Sequence, residues 1–287
     1  MNQPTLKPES GFFRARINLA YDGTNFFGWG KQSEHRTIQG ELEAALNTLY
    51  RRNLEIIVAG RTDAGVHATN QVCHVDLPEG DFGFEFESLT YRLNRILSDE
   101  IRIKNIELVS NDFHARFSAL RRHYIYKIQD GNGIIEPVRR LDIAPWYRDL
   151  DIELMNQAAK TLLGEHDFFS YAKFREFSTT IRDLQRFDFE RMEDGVIVAH
   201  VSADAFCYNM VRALIGTMVY IGEGRFPISW AREILVKRER PSDSVVFPAK
   251  GLTFIGVDYP ADSELATRAS KVMGLRKAGF INDDGDE

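Results

Sequence analysis

Residues 59–68 read AGRTDAGVHA, and they set a cation (Arg61), a hydroxyl (Thr62) and a carboxylate (Asp63) between Gly60 and Gly65. The glycines admit backbone angles barred to other residues and let a ligand approach the chain closely. A carboxylate so placed can serve as a nucleophile or a general base. It can equally be a turn residue that bonds its own backbone. A phosphate cradle is a third reading, but the GxxxxGK[ST] pattern is absent and no helix clearly opens from the loop.

Two further segments carry chemistry. Residues 113–129 contain Arg116, Arg121, Arg122, Lys127, His114 and His123 and no acidic residue, with Tyr124 and Tyr126 alternating about Ile125. On a strand the two tyrosines share a face. Cations interleaved with flat rings suit phosphates and unstacked bases; an edge strand with cations facing water is the plainer account. Residues 206–216 read FCYNMVRALIG and place Arg212 inside an otherwise apolar helix. A buried arginine is costly unless paired, so a carboxylate partner is expected. A structural salt bridge, a reach to solvent, or a pairing with Asp63 would each answer that need.

The surrounding pattern must position these residues. Alternation predicts a strand over 12–21 that ends at the turn Asp22-Gly23. Ile38, Leu42, Ala45, Leu46 and Leu49 form one helical stripe over 37–50. Short strands at 54–58 and 71–77 flank the AGRTDAGVHA loop. An acidic connection over 78–88 leads to a helix at 89–97 and a strand at 101–109. Strands are expected around 115–119 and 123–128, before a loop rich in Gly and Pro over 130–145. A helix at 152–163 stops at Gly164 in a left-handed cap. Strands at 180–191 and 196–203 flank Glu193-Asp194-Gly195, a hairpin signal. Helices at 207–221 and 230–237 and a strand at 252–259 complete the pattern. The fold class is α+β: two pseudo-repeated domains, a mostly antiparallel or mixed sheet with helices on its faces, and a central basic cleft. The expected divisions are a flexible leader 1–11, a domain 12–112 with the reactive loop, a domain 113–260, and a polar acidic tail 261–287 that is solvated, not packed.

Composition narrows the function classes. The 287 residues are 44% hydrophobic and 27% charged, as in a soluble globular protein. The net charge of −6 gives no general nucleic-acid footprint, so any RNA grip has to be local. Cys73 and Cys207 exclude a disulfide framework and a CxxC zinc site. With no secretory pattern at the start and no apolar run of membrane-spanning length, a cytoplasmic protein without membrane attachment is expected.

In order along the chain, YDGTNFFGW (21–29), TIQGELEAAL (37–46), AGRTDAGVHA (59–68), FHARFSA (113–119), HYIY (123–126), GEHDFFSY (164–171), MVRALIG (210–216) and GLTFIGVDYP (251–260) make the sequence resemble the TruA family of tRNA pseudouridine synthases. The resemblance implies the pseudouridine synthase fold and an isomerase that turns uridine into pseudouridine at tRNA positions 38 to 40, in the anticodon stem-loop. It implies tRNA as partner, a homodimer, and no cofactor or metal. Asp63 matches the catalytic aspartate, Arg61 a residue that fills the space left by a flipped base, Tyr124 the tyrosine against the target uracil, and Arg212 the arginine paired with the aspartate. Tyr208-Asn209 and Gly30-Lys31 depart from the family pattern, which carries a histidine pair and a bulkier pair there. The rival from another class is a non-catalytic RNA-binding protein of the same fold; a nucleotide-binding enzyme using the 60–65 loop is another.

Overall fold

The computed structural model describes residues 7–80, 85–173, 179–237 and 245–277. The chain groups into two compact units: one runs through Leu120 and resumes at Ile255, and the other is Arg121–Phe254. The first unit contains β1 (Phe12–Tyr21), α1 (Ile38–Tyr50), β2 (Ile56–Val58), β3 (His67–Pro78), α2 (Phe86–Ile96) and β4 (Ile101–Leu108). β1 is central, antiparallel to β3 from Phe12↔Pro78 and to β4 from Ala15↔Leu108, and β2 lies antiparallel on β3. Its alternation has the expected cause: Ala15, Ile17 and Leu19 are wholly buried, while Arg16 and Asn18 on the other face are half-buried. Thr37 caps α1, its Oγ1 accepting the Gly40 N–H, and Ile38, Leu42, Ala45 and Leu46 turn into the core. α2 lies along β4 with Leu89 and Leu93 buried. Each such aliphatic side chain contributes about 1.5–3 kcal/mol.

Residues 113–120 form turns, not the expected strand, and they belong to the first unit, so the division between the units follows Leu120, not residue 112. Side chains take the backbone donors that a sheet would need: Ser118 Oγ accepts the His114 N–H, and His114 Nδ1 accepts the Phe117 N–H. Phe113 and Ala115 join Ala59, Val72 and Leu265 in one buried cluster. Arg14, fully buried, makes a bidentate ion pair with Asp76 at 2.7 and 2.8 Å and donates to the Phe113 carbonyl at 2.8 Å.

The second unit contains β5 (Arg121–Gln129), β6 (Ala144–Pro145), α3 (Ile152–Lys160), β7 (Gly164–Asp167), β8 (Ile181–Arg191), β9 (Ile197–Ala203), α4 (Met210–Gly222) and α5 (Ser229–Lys237). β5, β9, β8 and β7 pair antiparallel in that order, and the short β6 adds a parallel edge to β5. The β8–β9 turn closes through Gly195 at φ 83° and a Met192 N–H to Val196 carbonyl bond. Gly164 does have a positive φ, 98°, but it opens β7 instead of capping α3, which ends at Lys160. β10 (Leu252–Asp258) carries the chain across the boundary into the first unit. There α6 (Leu265–Lys277) replaces the first part of the expected solvated tail, because Leu265 and Ala269 give it an apolar anchor, both buried. The acidic residues 283–287, and part of the acidic connection at 81–84, lie outside the described residues.

Candidate active site

The AGRTDAGVHA loop leaves β2 and returns as β3, and its shape is imposed by the segment that follows β1. Its two ends are tied first. The Ala59 N–H donates to the Val72 carbonyl, and Gln71 Nε2 donates to the Gly60 carbonyl at 2.9 Å. The same amide reaches Tyr21 Oη at 3.2 Å, and Tyr21 Oη in turn shares a 2.8 Å hydrogen bond with Thr62 Oγ1. All three side chains are buried, and burial pushes the Tyr21 phenol far above its ordinary pKa. It therefore stays a neutral hydrogen-bonding strut.

Backbone bonds tie the crest of the loop to the segment after β1. The Trp29 N–H donates to the Thr62 carbonyl at 3.0 Å, and the Gly65 N–H donates to the Phe26 carbonyl at 3.3 Å. These two bonds bracket Asp63-Ala64 against Phe27-Gly28. The approach is close because Gly28 has φ 90° and no side chain; a Cβ there would stand 2.8 Å from the Thr62 carbonyl oxygen. Gly23 is as necessary on the far side, where a Cβ would fall 2.0 Å from the Val66 carbonyl oxygen. Gly65 turns the chain at φ 77°, and its neighbour Val66 donates back to the Asp63 carbonyl at 3.1 Å. Asp63 is half-buried and Arg61 exposed on this hydrogen-bonded loop. Gly30 lies beneath the Arg61 side chain: a Cβ there would sit 3.7 Å from Arg61 Nε, in ordinary contact.

Sequence reasoning named Thr62 only as a hydroxyl of the loop and missed its bracing partners Gln71 and Gly28. The signal for them was the company kept by YDGTNFFGW and AGRTDAGVHA, which here proves to be physical contact. The acid-free stretch 113–129 is less of a basic surface than its composition suggests. Phe113, His114, Phe117 and Ser118 are buried in the first unit, and Lys127 in the second is ion-paired with Asp142 at 2.5 Å.

The other two candidates belong to the second unit. Tyr124, 8% exposed on β5, makes edge contacts with Phe206 and Phe254, each at 5.2 Å between centroids. Tyr126 is a core residue, its hydroxyl donating to the Pro248 carbonyl at 2.6 Å, so the shared face expected of the pair includes both an anchor and a more accessible ring. Arg212 is the single residue of α4 that is not buried. Its Nε donates to the Phe247 carbonyl at 2.6 Å while the Phe247 N–H donates to the Arg212 carbonyl, and Nη1 reaches Asn209 Oδ1 at 3.4 Å. Asn209, one of the departures from the family pattern, starts the helix at φ 64°, a left-handed conformation that Asn tolerates. Among the described residues no group of three or more His, Cys, Asp or Glu side chains could hold a metal ion, and no helix is long and apolar enough to cross a membrane.

A family described as tRNA pseudouridine synthase matches residues 18–118 and 158–260, which takes in Arg61, Asp63 and Arg212 and leaves Tyr124 in the stretch between the two matched parts. The chain belongs to the tRNA pseudouridine synthase family. Three relatives named tRNA pseudouridine synthase A place it within that family. The Streptomyces griseus protein is 46% identical over 93% of this chain and 95% of its own length. The Frankia casuarinae protein is 46% identical over 93% and 96%, and the Mycobacterium leprae protein 44% identical over 92% and 96%. Membership of this pseudouridine synthase family makes the protein an isomerase and agrees with its α+β fold.

Proposed function

We infer that the protein isomerises uridine to pseudouridine in tRNA, at positions 38 to 40 of the anticodon stem-loop. The observation that carries the reading is the braced loop that holds Asp63, in a chain matched along nearly its whole length by tRNA pseudouridine synthase A relatives. The reaction breaks the N1–C1′ bond, turns the uracil in place and joins C1′ to C5; C5 gives up its proton to solvent and N1 gains one. Nothing is oxidised or reduced, so the reading needs no cofactor. Asp63 supplies the carboxylate that acts on base or ribose. By the family resemblance Arg212 is assigned as the arginine partner of the aspartate, Tyr124 as the ring against the target uracil, and Arg61 as the residue that fills the gap left when the base leaves its stack. The protein works in the cytoplasm, where Cys73 and Cys207 stay reduced, and as a homodimer whose protomers together hold one tRNA. A fully active monomer in sedimentation at working concentration would refute the dimer.

Tritium release from C5-labelled uridine in unmodified tRNA, followed by mapping of the modified positions, tests the activity. Release confined to positions 38 to 40 is the expected result. Tight tRNA binding without any release would favour the non-catalytic RNA-binding protein instead.

A further inference from the structure

Phe27 stands out within its own segment. Its neighbours Phe26 and Trp29 are 3% and 0% exposed, but Phe27 is 54% exposed. It is nonetheless fixed. Its N–H donates to the Arg36 carbonyl at 2.9 Å, and its carbonyl accepts from Gln32 Nε2 at 3.1 Å. That pairing closes the 27–36 loop and brings the exposed His35 ring flat against the Phe27 ring, with centroids 4.1 Å apart and planes 11° apart. Arg36 locks the base of the loop from beneath, stacked over Phe26 at 4.2 Å and ion-paired with Glu41 and Glu100. The result is a two-ring stack presented to solvent on a rigid loop.

Its place in the unit gives it meaning. The bonds from Gly65 to the Phe26 carbonyl and from Trp29 to the Thr62 carbonyl set Phe27-Gly28 directly opposite Asp63-Ala64. A buried role would have taken Phe27 inward with Phe26. A surface kept for solubility would not hold two coplanar rings there. Flat rings beside cations are what single-stranded RNA is gripped by, since every base has a face to stack and an unpaired base can be splayed out onto a ring. The Arg61 side chain nearby is exposed, and Arg36 and Lys31 lie in ion pairs with Glu41, Glu100 and Glu43.

We propose that the Phe27–His35 stack is a platform for an unpaired nucleobase of the tRNA, next to the uridine delivered to Asp63. The proposal rests on the tRNA reading above and adds a contact that reads shape instead of charge. Phe27 is therefore a positioning residue for the substrate.

The test compares Phe27→Ala, Phe27→Leu, Phe27→Trp and His35→Ala with the unaltered protein. Kd for unmodified tRNA is measured over a series of salt concentrations, together with kcat and KM by tritium release. Phe27→Ala and Phe27→Leu are expected to raise Kd by roughly 5- to 100-fold, with an unchanged slope of log Kd against log salt because no phosphate contact is lost. Phe27→Trp, which keeps the plane, retains wild-type affinity, and His35→Ala weakens binding less than Phe27→Ala. Wild-type affinity in Phe27→Leu would overturn the platform, and so would an equal loss in Phe27→Trp, which would mean that the ring only packs the loop. If the unaltered protein released no tritium, the activity would fall on its own; if it did release tritium and no Phe27 variant lost affinity, only the platform would fall.

Discussion

An asparagine at position 63 can make every hydrogen bond that a turn asks of the residue there, and it cannot be a carboxylate. The Asp63→Asn variant is thus expected to keep its fold and its tRNA affinity, or to bind somewhat more tightly as a negative charge facing an anionic substrate is removed, while tritium release falls to background. Near-normal turnover in that variant would sink the assignment. At this scale the sequence is unevenly legible, for physical reasons. Asp63 can be singled out only through the family resemblance, because a carboxylate flanked by glycines fits a turn residue as well as a catalyst. Arg212 can be singled out because a cation in an apolar helix is anomalous, and it proves to be the one residue of α4 outside the core, fastened to the Phe247 carbonyl. Phe27 cannot: an aromatic residue in a loop has no periodicity to show which way it faces. Its exposure has meaning only beside the burial of Phe26 and Trp29.

At the scale of elements, the loop that holds Asp63 is shaped by Gly28 of the facing segment as well as by its own Gly65. Gly28→Ala would force a Cβ to within 2.8 Å of the Thr62 carbonyl oxygen at φ 90°, a strain of about 1–3 kcal/mol. Displacing the loop by about an ångström can cost up to about 100-fold in rate. The variant is expected to lower kcat by about 10- to 100-fold with a smaller change in KM, and urea unfolding should show the lost stability. Gly30→Ala is the control, since its Cβ would meet Arg61 Nε at an ordinary 3.7 Å; its unfolding midpoint should match wild type. Equal effects of the two substitutions would show that the close approach is not what matters. Strands and helices with a clean period, such as β1, α1 and the β8–β9 hairpin, are legible in the sequence. Residues 113–120 are not, because the side chains of His114 and Ser118 compete for the backbone donors on which strand propensity depends. The helix α6 is hidden by polar composition, its burial resting on Leu265 and Ala269.

For the whole molecule, stability is expected to depend on pH through an imidazole pair in the first unit. His74 is buried, its Nδ1 accepts the Ala115 N–H at 3.0 Å, and its ring lies 4.9 Å from that of His114. Burial, then the neighbouring His114 and the Arg14 guanidinium, hold its pKa well below the ordinary value; Asp76, paired with Arg14, is the nearby carboxylate. Below about pH 6.5 the unfolded chain protonates this imidazole and the folded one does not. The unfolded state then binds more protons, so stability falls as pH drops from about 6.5 toward the depressed folded pKa, by up to about 1.4 kcal/mol per pH unit for one group. Urea unfolding between about pH 5 and 7 measures it, and His74→Gln should flatten the profile; an unchanged profile in that variant would assign the effect elsewhere. A second consequence follows from the chain path, in which Arg121–Phe254 forms its own unit between the two parts of the other. On the ribosome the inner unit is complete once Phe254 has emerged. The outer unit, with the Asp63 loop, must wait for Leu265 to close the cluster around Phe113, Ala59 and Val72. The unit that carries the Asp63 loop is begun first and finished last, so a chain cut short after Phe254 would retain the inner unit and lack the Leu265 that completes the core beside that loop.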